Sequence, residues 1–333
     1  MSTIGNRLLH CRPASAILRQ AAGRQLFRYH SPAVGSAGEY LRKEMTKLLV
    51  DATPDEMAFG GLDSAVAGEP AVRGIFPLNP AESKRLIAKG VAAMPAVRRA
   101  RESGRLIIGW GTTNAYVAEE LLGFRVPKFG YCSGVITKGK LANIPDKQKV
   151  RPYCLRNGQI IDIHFREMMA EMGADDVIIK GANAVDREGH AGILLAAGDS
   201  GTIGAAMQVV CGRGVQLVVP VGLEKMVPSV IAASRRCGIQ RFKYAIGSPC
   251  GFIPLVNATV VTELQALQLL TGVKATHVAS GGVGGDEGAV TIVIEGTDER
   301  VAAAMELIER IKGEEAVRQE SEIESQPMQW VGR

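Results

Sequence analysis

The first 38 residues contain no aspartate or glutamate, although arginine recurs at Arg7, Arg12, Arg19, Arg24 and Arg28. An acid-free, arginine-bearing start with apolar positions at Leu8, Leu9, Ile17, Leu18, Leu26 and Phe27 has two readings. It is a mitochondrial transit peptide, which places the protein in the matrix, or a basic extension on a bacterial, cytoplasmic protein. Those five arginines account for the whole net charge of +5, because the other 34 of the 39 basic residues face 34 acidic ones. Residues 39–333 are thus neutral, which gives no basic face for nucleic acid. The chain also lacks a CxxC pair or a close Cys/His grouping: its six cysteines (Cys11, Cys132, Cys154, Cys211, Cys237, Cys250) are scattered. Zinc ligation and a disulfide scaffold are not expected, and reduced thiols in an intracellular protein are the natural reading. No metal and no cofactor are called for. No membrane span is expected either, because the longest uncharged run, Tyr244–Thr262, is broken by Gly247, Ser248, Pro249, Gly251, Pro254 and Asn257.

What is present suits a globular protein. Hydrophobic residues make up 46% and charged residues 22%, and 333 residues suffice for one large domain with a smaller appendage. After the basic segment (1–38), Glu39–Val50 has helical spacing, but Asp51–Pro80 shows no sustained period, so 39–79 reads as an irregular arm. With little of its own to pack against, that arm suggests a homo-oligomer. Pro80–Ser103 reads as helix capped by Asn79 and interrupted at Pro95. From there to residue 254, short buried strand runs alternate with helices. Leu106–Ile108, Val177–Ile179 and Val215–Val219 are β-branched or aliphatic runs of the kind buried on both faces of a parallel sheet. The expected fold is therefore α/β: an open, mostly parallel, Rossmann-like sheet at 80–254 with helices on both faces. Residues 255–313 read helix, β-hairpin, helix, the inner part of a ferredoxin-like α+β unit. The polar stretch 314–333 reads as a disordered tail.

Three of the buried runs end in polar, small-residue turns, and ligands of open α/β sheets bind at such strand ends. The first turn is Gly109-Trp110-Gly111-Thr112-Thr113-Asn114, leading into a helix at Ala115–Leu122. A strand, a glycine turn and hydroxyl residues at a helix start can cradle an anion, with Gly109, Gly111, Thr112, Thr113 and Asn114 as its ligand-binding residues. It is neither a Walker A loop nor a GxGxxG fingerprint, since Asn114 stands where the third glycine belongs. A tight βα turn without a ligand satisfies the same residues. The second turn, Lys180-Gly181-Ala182-Asn183-Ala184-Val185-Asp186, follows Val177–Ile179. The third, Pro220-Val221-Gly222-Leu223-Glu224-Lys225, follows Val215–Val219.

The order GWGTTN, KGANAVD, VVPVGLEK resembles the superfamily that holds ribose-5-phosphate isomerase, glucosamine-6-phosphate deaminase, the sugar-phosphate-sensing domains of DeoR-type repressors and CoA transferases. The resemblance spans about residues 80–250. It implies a phosphate-holding first turn, contacts from Gly181 and Asn183, and a third motif ending in a lysine, here Lys225. The isomerase pattern also has an aspartate on each side of Gly-Ala, where this chain has Lys180 and Asn183. A lysine and an amide do not replace two carboxylate bases at neutral pH. Asp186 is retained, but the lysine expected downstream falls near Ile193. The expectation is thus a small anionic metabolite, phosphorylated or of CoA-acyl type, bound by a divergent isomerase- or transferase-like enzyme. Lys180 is then an amine nucleophile or an electrostatic clamp, with Asp186 or Glu224 as base. A sensor or subunit without turnover is the alternative.

Overall fold

The computed structural model describes residues 71–319, Ile323 and residues 329–330. The basic extension, the helix expected at 39–50 and most of the arm and tail lie outside the described residues.

Residues 72–78 of the expected irregular arm form a strand, β1 (Val72–Leu78), a difference from the sequence reading. Its Val-x-Gly-Ile-Phe-Pro-Leu run buries only Phe76 and Leu78, a one-sided pattern that the surrounding Gly, Pro and Asp obscure. Asn79 then caps α1 (Pro80–Ala93): its side chain accepts from the N–H groups of Ala81 and Glu82, and the Glu82 carboxylate returns to the Asn79 N–H. Pro95 opens α2 (Pro95–Ser103), so the proline starts a second helix rather than kinking the first.

There follow β2 (Arg105–Ile108), α3 (Thr112–Leu122), the hairpin β3 (Gly134–Thr137) and β4 (Lys140–Asn143), then β5 (Tyr153–Arg156) and β6 (Gln159–Ile160). Next are α4 (Phe165–Glu171), β7 (Val177–Ile179), β8 (Ala184–Val185), β9 (Ala191–Leu195), α5 (Gly201–Arg213) and β10 (Gln216–Pro220). After α6 (Val230–Ser234) come β11 (Tyr244–Ala245), β12 (Gly251–Leu255), β13 (Thr259–Val261) and α7 (Glu263–Thr271). The chain continues through β14 (Lys274–Gly281), β15 (Ala289–Gly296), α8 (Asp298–Ile311) and β16 (Gln329–Trp330).

The main sheet has six strands in the order β13-β10-β7-β2-β5-β6. β13, β10, β7 and β2 are parallel, and β5 and β6 add antiparallel at one edge. Alternate side chains of the same short strands feed different cores, as a period of two requires. Leu106, Ile108, Val177, Ile179, Val218 and Val261 pack with α1, α3, α7 and α8. Ile107, Ile178, Leu217 and Val219 pack with α4 and α5. Helices therefore cover both faces, and Met168, Met169 and Met172 are core residues on the second face.

The helix–hairpin–helix at the carboxyl end is present, but β1 completes its sheet, in the order β1-β15-β14. β13 meanwhile joins the main sheet beside β10, and the first core extends without a break into Phe76, Leu78, Val290, Ile292 and Ile294. The hairpin β8–β9 with β12, a three-stranded antiparallel sheet, is absent from the sequence reading. Residues 314–319 have a defined path where a disordered tail was expected. The Glu314 carboxylate pairs with Arg85, and the Tyr116 hydroxyl donates to the Glu315 carbonyl.

The contact between α1 and α7 depends on Gly90, where a Cβ would lie 2.6 Å from the Ala266 Cβ and 2.8 Å from its Cα. Helix propensity favours alanine over glycine by about 1 kcal/mol, and overpacking against backbone costs roughly 1–3 kcal/mol. Gly90→Ala is therefore expected to lower the urea midpoint of unfolding. An unchanged or raised midpoint would show that α1 and α7 do not approach this closely.

Candidate functional site

The parallel strands β2, β7 and β10 deliver their three turns to the same edge of the sheet. Gly109 N–H donates to the Ile179 carbonyl (2.8 Å), and Lys180 N–H donates to the Val218 carbonyl (3.0 Å), so each turn begins locked to its neighbour. The first two turns then touch through glycine. A Cβ on Gly111, whose φ is +154°, would stand 3.7 Å from the Gly181 Cα, and one on Gly109 would stand 3.1 Å from both the Ile179 carbonyl oxygen and the Lys180 Cδ. The stem of Lys180 thus lies across Gly109.

Asn114, fully buried at the start of α3, ties the junction together. Its Nδ2 donates to the carbonyls of Gly109 (2.8 Å) and Ile179 (3.2 Å). Its Oδ1 and the buried Thr113 Oγ1 have no hydrogen-bond partner. Buried polar atoms of this kind are uncommon in a finished core and mark a position that a further group can satisfy.

Lys180 Nζ donates to the Trp110 carbonyl (3.1 Å) and sits 3.5 Å from that of Gly181. Among the described residues no carboxylate pairs with it. The acids that stood near it in sequence are engaged elsewhere. Asp176 accepts from the N–H groups of Arg105 (2.7 Å) and Gly173 (2.9 Å), holding β2 and β7 in register at their starts. Asp186 accepts from the N–H groups of His190 and Val230 and faces the His190 ring. Glu224 pairs with Lys84 (3.6 Å) and Lys225 (3.5 Å). Burial, reinforced by the positive charge of Lys225, lowers the Lys180 ammonium to about 8.

Three groups absent from the sequence reading join this cluster: Lys84, Cys132 and Glu263. Lys84 arrives on α1, and burial lowers its pKa while the Glu224 charge opposes that shift. Cys132 is buried, and desolvation raises its thiol to about 11 against the pull of Lys180, Lys225 and Lys84, which makes it inert at neutral pH. Glu263, wholly buried at the first position of α7, accepts the Leu223 N–H with both oxygens (3.2 and 3.0 Å). Burial and the neighbouring Glu224 charge push it up to about 7. Burial likewise opposes ionisation of Glu224, but Lys225 and Lys84 outweigh it and hold that carboxyl below its ordinary value. Two carboxyls side by side are thus driven apart, Glu224 ionising first and Glu263 keeping its proton up to about pH 7. Lys84 and Glu263 lie in unremarkable helical sequence, and only the packing of α1 and α7 against β10 brings them in.

Of the residues expected to form the site, Gly109, Gly111, Thr112, Thr113, Asn114, Lys180 and Gly181 meet at one junction. Glu224 and Lys225 approach it from the third turn. Asn183 does not point into it: its Oδ1 accepts the Leu194 N–H (3.0 Å) and fixes the β8–β9 hairpin. Asp186 is a buried bracket for the 186–190 turn and the start of α6, so its place is structural rather than that of a free base. Asp186, Glu188 and His190 bring ligand-type atoms within 4.8 Å of one another, but the Asp186 oxygens already serve backbone N–H groups. Comparison with protein-family models, curated proteins and solved structures finds no match to this chain.

The raised Glu263 has a pH signature. Between its ordinary 4.5 and about 7, the native state holds a proton that the unfolded chain has released. The contribution of this group to stability therefore falls as pH rises through that window. Glu263→Gln, a mimic of the protonated form, should flatten the decline in melting temperature from pH 4.5 to 7 and leave the protein at least as stable as wild type above pH 7. A variant that retains the wild-type slope would locate the titration elsewhere.

Proposed function

We propose that this protein is an enzyme acting on a small anionic carbonyl compound, a phosphorylated or acyl metabolite, with the amine of Lys180 as its reactive group. The observation that carries this reading is a lysine at a parallel strand end with its stem over Gly109, carbonyl oxygens at its ammonium and no carboxylate partner among the described residues. An ammonium in that position costs desolvation that no acid repays, and a pKa of about 8 gives a useful fraction of neutral amine near neutral pH. A neutral amine adds to a carbonyl carbon, and loss of water from the carbinolamine leaves a Schiff base.

The surrounding residues suit an anionic substrate. Lys225 and Lys84 add positive charge, and α3 presents its N-terminal turn, with Thr112 and Thr113, beside the lysine. Glu224, ionised, is the base nearest this group of cations. The chemistry falls in the isomerase- or transferase-like range that the three turn motifs suggest, with an amine in place of the isomerase carboxylates. The second reading is a binder without turnover, in which Lys180 stays charged and clamps the anion.

Borohydride reduction in the presence of ribose 5-phosphate and other phosphorylated aldoses and ketoses separates the two. The enzyme reading expects a reduced adduct on Lys180, absent from Lys180→Arg. No adduct with any of these compounds, together with an Arg variant whose ligand-induced melting shift equals that of wild type, would favour the clamp.

The unpartnered Thr113 hydroxyl supplies a further test. Thr113→Val removes a buried group that makes no internal hydrogen bond, so the unliganded variant should be as stable as wild type or more so. If the hydroxyl serves the ligand, the melting shift produced by a bound sugar phosphate should shrink. A fall in unliganded stability of about 1 kcal/mol or more would mean that the hydroxyl has an internal partner.

A further inference from the structure

Cys237 and Cys250 lie at the two ends of a connection that the fold closes on itself. After α6 the chain turns at Gly238, whose N–H donates to the Cys250 carbonyl (3.2 Å). That bond sets the residue before Gly238 against Cys250, whose thiol is pushed up by burial and then by the neighbouring Cys237. A disulfide needs Cα atoms about 4.4–6.8 Å apart, and the Gly238–Cys250 bond holds the backbones of the two cysteines side by side. Both cysteines are part-exposed free thiols, whereas Cys132 and Cys154 are buried and Cys211 is exposed.

We propose that Cys237 and Cys250 are a reversible redox pair that closes to an intramolecular disulfide with a low-molecular-weight disulfide as oxidant. One cysteine thiolate attacks the oxidant disulfide, forming a mixed disulfide and releasing one thiolate of the oxidant. The second cysteine thiolate attacks the protein sulfur of that mixed disulfide and releases the other thiolate. The two cysteine protons pass to solvent or to the departing thiolates. The protein pair is oxidised by two electrons and the oxidant is reduced to two thiols.

The ring would bear on a defined part of the fold. Between the two cysteines, the Ile246 carbonyl accepts the Leu141 N–H (3.3 Å), and Ser248 N–H donates to the Leu141 carbonyl (2.8 Å). Gly247 lies flat on Leu141, where a Cβ would come within 2.0 Å of the carbonyl oxygen. Closing the disulfide would pin this segment to the β3–β4 hairpin, the chain that runs out from Cys132 at the cluster of lysines.

The test uses the full chain in mixtures of reduced and oxidised glutathione, with alkylation and tryptic mapping. Trypsin cuts after Arg236, Arg241 and Lys243, so the two cysteines leave on separate peptides joined only by a disulfide. The expected result is that linked pair, lighter by two hydrogens than the reduced peptides and separated again by dithiothreitol. The oxidised chain should also melt at a higher temperature than the reduced one. Cys237→Ser should retain glutathione on Cys250, because the resolving thiol is gone. The proposal is overturned if wild type keeps glutathione on either cysteine without forming the linked pair. Free thiols at both positions while Cys211 is modified would overturn it equally, and the wild-type map decides this even if the variant fails to fold.

Discussion

The junction of β2 and β7 closes tightly over Gly109. A Cβ there would lie 3.1 Å from both the Lys180 Cδ and the Ile179 carbonyl oxygen, and the Asn114 carboxamide binds the carbonyls of both strand ends. Each of those hydrogen bonds contributes about 1 kcal/mol, but their larger effect is geometric. They fix where α3 begins, and with it the position of its N-terminal turn relative to Lys180. A Cβ at Gly109 would press on the lysine stem and on the end of β7, and Lys180 and the start of α3 are placed relative to these two strands.

Charge pairing around that junction is uneven. Carboxylates near the strand starts and in the 186–190 turn are spent on backbone N–H groups, arginine or histidine. At the strand ends Lys84 and Lys225 share Glu224, and Lys180 has only carbonyl oxygens. Buried Glu263 relieves none of the positive charge while it holds its proton. The low dielectric of the interior magnifies each of these terms, so removing solvent from Lys180 does more to its protonation than any single neighbour.

The packing explains why this cluster draws on distant parts of the chain. α1 brings Lys84 and α7 brings Glu263, and the two helices meet at Gly90 and Ala266 over the parallel strands. β1 reaches across to β15, so the antiparallel sheet at the carboxyl end is built partly from residues that precede the whole α/β core. A continuous hydrophobic cluster of this kind joins the small sheet to the parallel strands that carry the turns.

The sequence by itself determined the local elements with strong signals. Asn79-Pro80 capped a helix, Pro95 divided it, and the short aliphatic runs Leu106–Ile108 and Val177–Ile179 were parallel strands because only burial on both faces accommodates them. The glycines and hydroxyl residues at 109–114 marked a turn entering a helix for the same reason: their conformational and hydrogen-bonding demands are local. Strands whose partners lie far along the chain were not legible, β1 and β9 among them, since a short strand has no stability before it is paired. The roles of the acids were equally illegible. Asp186 and Glu224 carry the same carboxylate, and although Lys225 adjoins Glu224, nothing in their neighbours shows that Asp186 is enclosed by N–H groups or that Lys84 joins Glu224. That distinction, and the presence of Lys84 and Glu263 beside Glu224, is made by helices and strands meeting across the fold, where distance and desolvation rather than residue type set the charge.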